Sequence, residues 1–293
     1  MDVTAGGSRT GSAPRAAAAH DPNEVVKRHS VTTRTTHWLG VLAFFILTMS
    51  GLQIFNAAPY LDASDKSDSA KRVLTVGSLQ DAQGNATIGS VKLFNWHFTT
   101  THVLGVGDDG SGSGAETARA FPGWLTFPGE QNLADGRRWH FFFAWIFAIC
   151  GVAYFVGAFR NGNVGKFILR REDLPKLLPM QLYYFGLRKD PPPFGKYNPL
   201  QKAAYTVVMF VFAPLIVLTG LALSPGMDAI AQPLTWIFGG RQFARLWHFV
   251  IMAAFLGFFG VHLTLVLSTG FWNNMRSMIT GRYKLGKHEG EGV

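Results

Sequence analysis

Four of the nine histidines, His37, His140, His248 and His262, fall at the ends of or inside long apolar runs. An ionisable side chain is costly at such depth, which points to a function for each. His248 and His262 are fourteen residues apart in one run. At about 3.6 residues and 1.5 Å per residue they share one helix face and stand roughly 21 Å apart along the axis. If successive runs cross the membrane in alternate directions, His37 enters from one side and His140 from the other. The depths then match in two pairs, His37 with His262 and His140 with His248.

A pair of imidazoles at one depth suits the two axial positions of a haem iron, and two pairs suit two stacked b-type haems in a bundle core. A zinc site would draw three or four ligands to one point, whereas these residues divide between two depths with no carboxylate nearby. Taken singly, each histidine has a plainer reading as a helix-end hydrogen-bonding group; the pairing argues for ligation. His97 and His102 are read as loop residues. Arg138 and Arg245, just ahead of two of the histidines, are candidates to pair with haem propionates, with interfacial snorkelling as the alternative.

The elements that position these groups are four runs free of Asp, Glu, Lys and Arg, at about 38–55, 141–159, 203–223 and 249–267. Each is long enough for roughly 30 Å of hydrocarbon. Backbone polar groups must be paired internally in lipid, so the runs are expected as helices, with Pro214 tolerated as a kink. The fold class that follows is an all-α integral membrane four-helix bundle with a long outer, periplasmic loop at 56–139. Helices two and four open on an echo, Arg137-Arg138-Trp139-His140-Phe141 and Arg245-Leu246-Trp247-His248-Phe249.

Charge placement sets the orientation. Lys and Arg number five up to Thr36, nine at 160–202 and four from Thr269, against seven at 56–138 and two at 224–247. The positive-inside rule puts both termini in the cytoplasm. A net charge of +9 might suggest nucleic acid, but charged residues are only 15% of the chain and cluster beside the apolar runs. That placement speaks for a bilayer and against nucleic acid. The lone cysteine, Cys150, rules out an intrachain disulfide, a CxxCH haem attachment and an iron–sulfur cluster on this chain, and reads as a small apolar residue.

Residues 1–24, rich in Ala, Gly, Ser and Arg without an apolar core, are read as a disordered cytoplasmic tail, 25–282 as the transmembrane domain and 283–293 as a second tail. Within the outer loop, Gly107–Gly114 is glycine-rich, and Val91–Leu104 is expected to form a short surface helix. A loop of this length commonly docks a partner. Gly40, Gly51, Gly151, Gly157, Gly257 and Gly260 either let helices approach or make room for a porphyrin.

The stretch Phe121-Pro-Gly-Trp-Leu-Thr-Phe-Pro-Gly129, followed by Asp135-Gly-Arg-Arg-Trp-His-Phe-Phe-Phe-Ala-Trp145, resembles the bacterial di-haem cytochrome b subunits of thiosulfate reductase, formate dehydrogenase and nickel–iron hydrogenase. The similarity covers roughly residues 27–282. It implies ligands from the first, second and last helices, mapping to His37, His140, His248 and His262, in agreement with the depth pairing. It also implies a quinone or menaquinone site at Lys196-Tyr-Asn-Pro-Leu-Gln-Lys202, with Asn198, Gln201 and Lys202 as candidates, although an Asn–Pro helix cap explains the same residues. The implied function is electron transfer between the quinone pool and a peripheral redox subunit, a molybdopterin oxidoreductase by the thiosulfate-reductase likeness. The long loop and extended N-terminus depart from the hydrogenase and formate dehydrogenase pattern. The rival readings are a stand-alone quinone-linked oxidoreductase, a histidine-relay transporter and a haem-free anchor.

Overall fold

The computed structural model describes residues 24–80, 86–101, 103–108, 112, 116–162, 164–195 and 197–285. Residues 1–23 and 286–293 of the expected tails, most of the glycine-rich 107–114 stretch, His102 and Lys196 lie outside the described residues. In chain order come β1 (Val25–Lys27), α1 (Val31–Asn56), β2 (Tyr60–Asp62), β3 (Arg72–Gln80), β4 (Ala86–Leu93), β5 (Trp96–Thr99), β6 (Gly105–Asp108) and β7 (Glu116–Arg119). Then follow α2 (Leu133–Arg160), α3 (Val164–Phe167), α4 (Leu174–Tyr184), α5 (Pro199–Val207), α6 (Ala213–Leu223), α7 (Pro225–Ile230), α8 (Gln232–Ile237), α9 (Arg241–Ser268), α10 (Phe271–Thr280) and β8 (Arg282–Lys284).

Among the described residues, four helical stretches are long and apolar enough to cross a membrane: Val31–Asn56, Leu133–Arg160, Pro199–Leu223 and Arg241–Ser268. They extend the apolar runs outward into polar first turns that carry their caps. Ser30 accepts from the Thr33 N–H at 3.1 Å, and Asn132 accepts from Ala134 and Asp135 at 3.0 and 3.2 Å. Each cap satisfies amides that the first turn leaves unpaired. The spans are apolar around most of their circumference, as a lipid-facing helix must be. In the third, a π-helical turn at Val208–Phe212 precedes Pro214. Proline lacks the N–H for the carbonyl four residues back and crowds it, so the backbone widens there without breaking.

The long connection between α1 and α2 is built from strands. β2, β3, β4 and β5 form an antiparallel sheet in that order, and β6 pairs with β7. The surface helix expected over Val91–Leu104 is not formed: this stretch supplies the end of β4 and all of β5 and stops just ahead of β6. Val91 pairs with Phe98 and Leu93 with Trp96, leaving Phe94 and Asn95 as a two-residue hairpin turn. Alternating apolar and aromatic residues with turn residues between them favour this pairing over a helix. Phe94 takes φ 52° at the turn.

The sheet is tied to the bundle at one end. Phe55, Leu61, Val76 and Ala120 form a buried cluster with Phe121, Leu246 and Phe249 packed against it. Asn56 joins the end of α1 to the following segment by two reciprocal bonds: its Nδ2 donates to the Phe121 carbonyl at 3.1 Å, and the Phe121 N–H donates to its Oδ1 at 2.8 Å. Buried Arg119 donates to the Gly129 carbonyl at 3.1 Å, to Thr126 at 3.1 Å and to Gln53 at 3.3 Å. At Gly240, φ 101°, a Cβ would lie 2.6 Å from the Asp65 Cα, so only glycine allows the loop to meet the start of α9 there. At the opposite end, β1 and β8 pair antiparallel, Val26 opposite Tyr283, and join the two ends of the described chain. These two ends of the bundle are called the sheet end and the tail end.

Candidate functional site

The four histidines come together in two pairs. The rings of His37 on α1 and His262 on α9 have centroids 6.5 Å apart. Those of His140 on α2 and His248 on α9 are 6.1 Å apart. The first pair lies toward the tail end and the second toward the sheet end, because His140 also meets Ser50, thirteen residues or roughly 20 Å along α1 from His37. A metal held midway by two imidazoles needs nitrogen distances of about 2.0 Å and adds about 1.1 Å to each centroid, hence a spacing of about 6.2 Å. Both pairs fit that figure. The donors meet in twos, and no three His, Cys, Asp or Glu side chains converge among the described residues.

The sheet-end pair is held from behind. His140 Nδ1 lies 3.1 Å from Ser50 Oγ, and His248 Nδ1 lies 2.9 Å from Thr219 Oγ1. Both hydroxyl residues are 0% exposed. Each is followed by a glycine that the ring packs against: a Cβ on Gly51 would come 3.3 Å from His140 Cε1, and one on Gly220 3.2 Å from His248 Cε1. The Arg–x–Trp–His–Phe echo on α2 and α9 is thus matched by Ser50-Gly51 on α1 and Thr219-Gly220 on α6. Sequence reasoning passed over Ser50 and Thr219, since a hydroxyl in an apolar helix ordinarily bonds its own backbone. The available signal was their position ahead of a glycine.

The tail-end pair is held differently. His37 Nδ1 is buried without a hydrogen-bond partner among the described residues. His262 stacks on Phe258 at 5.9 Å, and Trp38 sits edge-on to His37 at 5.2 Å. Between the pairs lies Phe255, seven residues from His248 and seven from His262. Its ring is 6.5 Å from Phe44, 6.3 Å from Phe147 and 6.0 Å from Phe212. An aromatic layer fed by all four spans therefore separates the two pairs.

Of the six glycines singled out in the sequence, Gly51 faces His140 and Gly157 faces Thr32, at 3.8 Å from its Cγ2. A Cβ on Gly40, Gly151, Gly257 or Gly260 would meet nothing within 4 Å among the described residues. Close helix approach therefore does not account for those four. Arg245 reaches the Ala58 carbonyl and lies over the rings of Phe55 and Tyr60 at 5.5 and 5.4 Å. Arg138 is exposed and bonds Asp135 at 3.0 Å. Both sit at the sheet end, near the His140–His248 pair.

Asn198 and Gln201 form a capping box at the start of α5: Asn198 Oδ1 accepts from the Gln201 N–H at 2.9 Å, and Gln201 Oε1 accepts from the Asn198 N–H at 3.1 Å. Asn198 Nδ2 also lies 3.1 Å from the Tyr184 hydroxyl. Lys202 Nζ bonds both carboxylate oxygens of Asp173 at 3.0 Å. Burial pushes the Asp173 carboxyl up, but the Arg170 N–H, the Lys202 contact and the Lys202 and Lys176 charges outweigh it and hold it below its ordinary value. His97 lies in β5, paired with Lys92, away from either histidine pair.

A four-span bundle with facing histidine pairs at two levels is an arrangement able to hold redox groups between helices. The chain belongs to the prokaryotic cytochrome b561 family, whose model matches residues 111–281. That match takes in three spans and α10, with α1 and His37 ahead of it. A relative from Azospira oryzae, YedZ1, whose name assigns it to a protein-methionine-sulfoxide reductase as a subunit, is 30% identical over 246 residues, covering 83% of this chain and 91% of the relative. The protein is thus a multi-pass electron-transfer protein of the bacterial inner membrane, in a family of electron-carrier subunits.

Proposed function

We propose that the chain holds two b-type haems, one between His37 and His262 and one between His140 and His248, and carries electrons between a quinone and a partner redox subunit. The observation that supports this reading is the spacing of the two pairs, 6.5 and 6.1 Å between centroids, at levels about 20 Å apart. Bound haem supplies one-electron carriage at a six-coordinate iron. The protein's part is to fix the ligands, exclude water and tune the potentials. Gly40, Gly151, Gly257 and Gly260 leave open space beside their helices, in keeping with room for a flat ring. Arg138 and Arg245 are the candidate partners of propionates at the sheet end.

The excess of Lys and Arg on the tail-end segments supports placing that end in the cytoplasm. In this reading the quinone or menaquinone exchanges electrons there, at the His37–His262 centre. Asn198, Gln201 and Lys202 remain the candidates by resemblance, acting through the shape of the α5 start that they hold. The partner docks at the sheet end. The relative's name suggests a methionine-sulfoxide reductase for it, compatible in role with the molybdopterin oxidoreductase implied by the thiosulfate-reductase likeness.

The test is a reduced-minus-oxidised visible spectrum with a pyridine haemochrome assay on detergent-purified protein and on His262→Ala. The expected result is about two b haems per chain, with one lost in the variant. Folded protein made with ample haem that contains none would overturn the reading.

A further inference from the structure

The hydroxyls behind the sheet-end histidines carry information about which ring nitrogen bears a proton. Thr219 has one hydroxyl hydrogen, and its Oγ1 lies 2.7 Å from the Leu215 carbonyl and 3.2 Å from that of Ile216. Ser50 repeats this, with Oγ 2.5 Å from the Ile46 carbonyl and 3.3 Å from that of Leu47. A carbonyl only accepts, and at 2.5 and 2.7 Å the carbonyls of Ile46 and Leu215, four residues back, are the closest acceptors for the two hydroxyl hydrogens. The oxygen lone pairs then face the imidazoles, and the backbone carbonyls of Leu47 and Ile216 are further acceptors for the His140 and His248 rings. With the hydroxyl hydrogens on those carbonyls four residues back, His248 Nδ1 and His140 Nδ1 donate to Thr219 and Ser50, and Nε2 of each neutral ring carries no proton. The tail-end pair lacks this device at His37, whose Nδ1 is buried without a partner among the described residues.

We propose that Ser50 and Thr219 are positioning residues for the sheet-end centre: they hold His140 and His248 in the Nδ1–H form, present both Nε2 atoms as ligands, and lower that centre's reduction potential. The inference rests on the two-haem reading above. An acceptor on Nδ1–H makes the imidazole a stronger donor to the metal, which favours the oxidised ion. The glycine after each hydroxyl residue keeps the ring seated against the helix that carries its acceptor.

The experiment is an anaerobic potentiometric titration of the full chain in detergent, followed in the visible band. It compares wild type with Thr219→Val, Thr219→Ser and Ser50→Ala, using His262→Ala to identify the tail-end wave. Val keeps the shape of Thr without its hydroxyl, and Ser restores the hydroxyl without the methyl. Wild type should show two one-electron waves. Thr219→Val and Ser50→Ala should each move the same wave, the one that survives in His262→Ala, toward easier reduction. The expected shift is about tenfold in equilibrium constant, or about 59 mV for one electron. Thr219→Ser should leave it in place. Unmoved waves in Thr219→Val with both haems retained would overturn the proposal while leaving the two-haem reading intact, and so would an equal shift in Thr219→Ser. A wild-type protein without two haems would overturn the functional reading itself.

Discussion

Gly220→Val should cost the protein one haem and leave the other. A Cβ at residue 220 would stand 3.2 Å from His248 Cε1 and 3.7 Å from its Nδ1. Carbon contacts are comfortable at about 3.5–4.0 Å, so even alanine is short by about 0.3–0.8 Å. The ring cannot readily retreat, because its Nδ1 is tied to Thr219 at 2.9 Å on the same helix. A retreat of about 0.5 Å stretches that bond beyond the ordinary 2.7–3.2 Å range. Forcing extra carbon into such a contact typically costs about 1–3 kcal/mol. That is about 5- to 150-fold in occupancy of the centre, and the branched valine belongs at the upper limit. The pyridine haemochrome assay should fall from two haems per chain to one in Gly220→Val. Gly220→Ala should retain both when haem is plentiful, but lose the sheet-end haem first on dilution. Two tightly held haems with an unaltered spectrum in Gly220→Val would refute the placement of His248 against α6 and the ligand role built on it.

Two further outcomes follow from contacts outside the histidine pairs. Asn56→Ala removes both partners of the Phe121 backbone and should destabilise the α1–loop junction by about 2–6 kcal/mol, taking about 1–3 kcal/mol for each of the two unsatisfied groups. Amide exchange at Phe121 should quicken about 30-fold or more, and Asn56→Asp, which keeps the acceptor for the Phe121 N–H but sets an oxygen against the Phe121 carbonyl, should quicken it less; wild-type exchange in Asn56→Ala would dismiss this role. The Asp173–Lys202 pair should confer acid-sensitive stability. Because the folded Asp173 carboxyl is held below its ordinary value, its contribution is complete above the unfolded value near pH 3.9 and is lost as pH falls through the lower folded value. The melting temperature of wild type in detergent should therefore fall more steeply across that acid range than that of Asp173→Asn; parallel curves would count against it.

Much of the architecture was legible because its signals are local and strong. A run without charged residues has few options in lipid, so the four spans and their alternation could be read directly, and the spacing of His248 and His262 on one helix fixed their relative level. Asn198-Pro199-Leu200-Gln201 carries its capping box in four consecutive positions. Tertiary structure was needed wherever a residue's partner is remote in sequence. Val91–Leu104 has the apolar content of a short helix, and its strand state depends on β3 beside β4 and on the hairpin turn at Phe94. Asn56 and Arg119 look like ordinary polar residues until the 121–129 segment folds over the end of α1. Ser50 and Thr219 carry no sequence mark beyond a following glycine, since a back-bonding hydroxyl in an apolar helix is commonplace. Only helix packing brings His140 to one and His248 to the other, because a hydrogen bond of about 3 Å is decided by the approach of two helices and not by the periodicity of either.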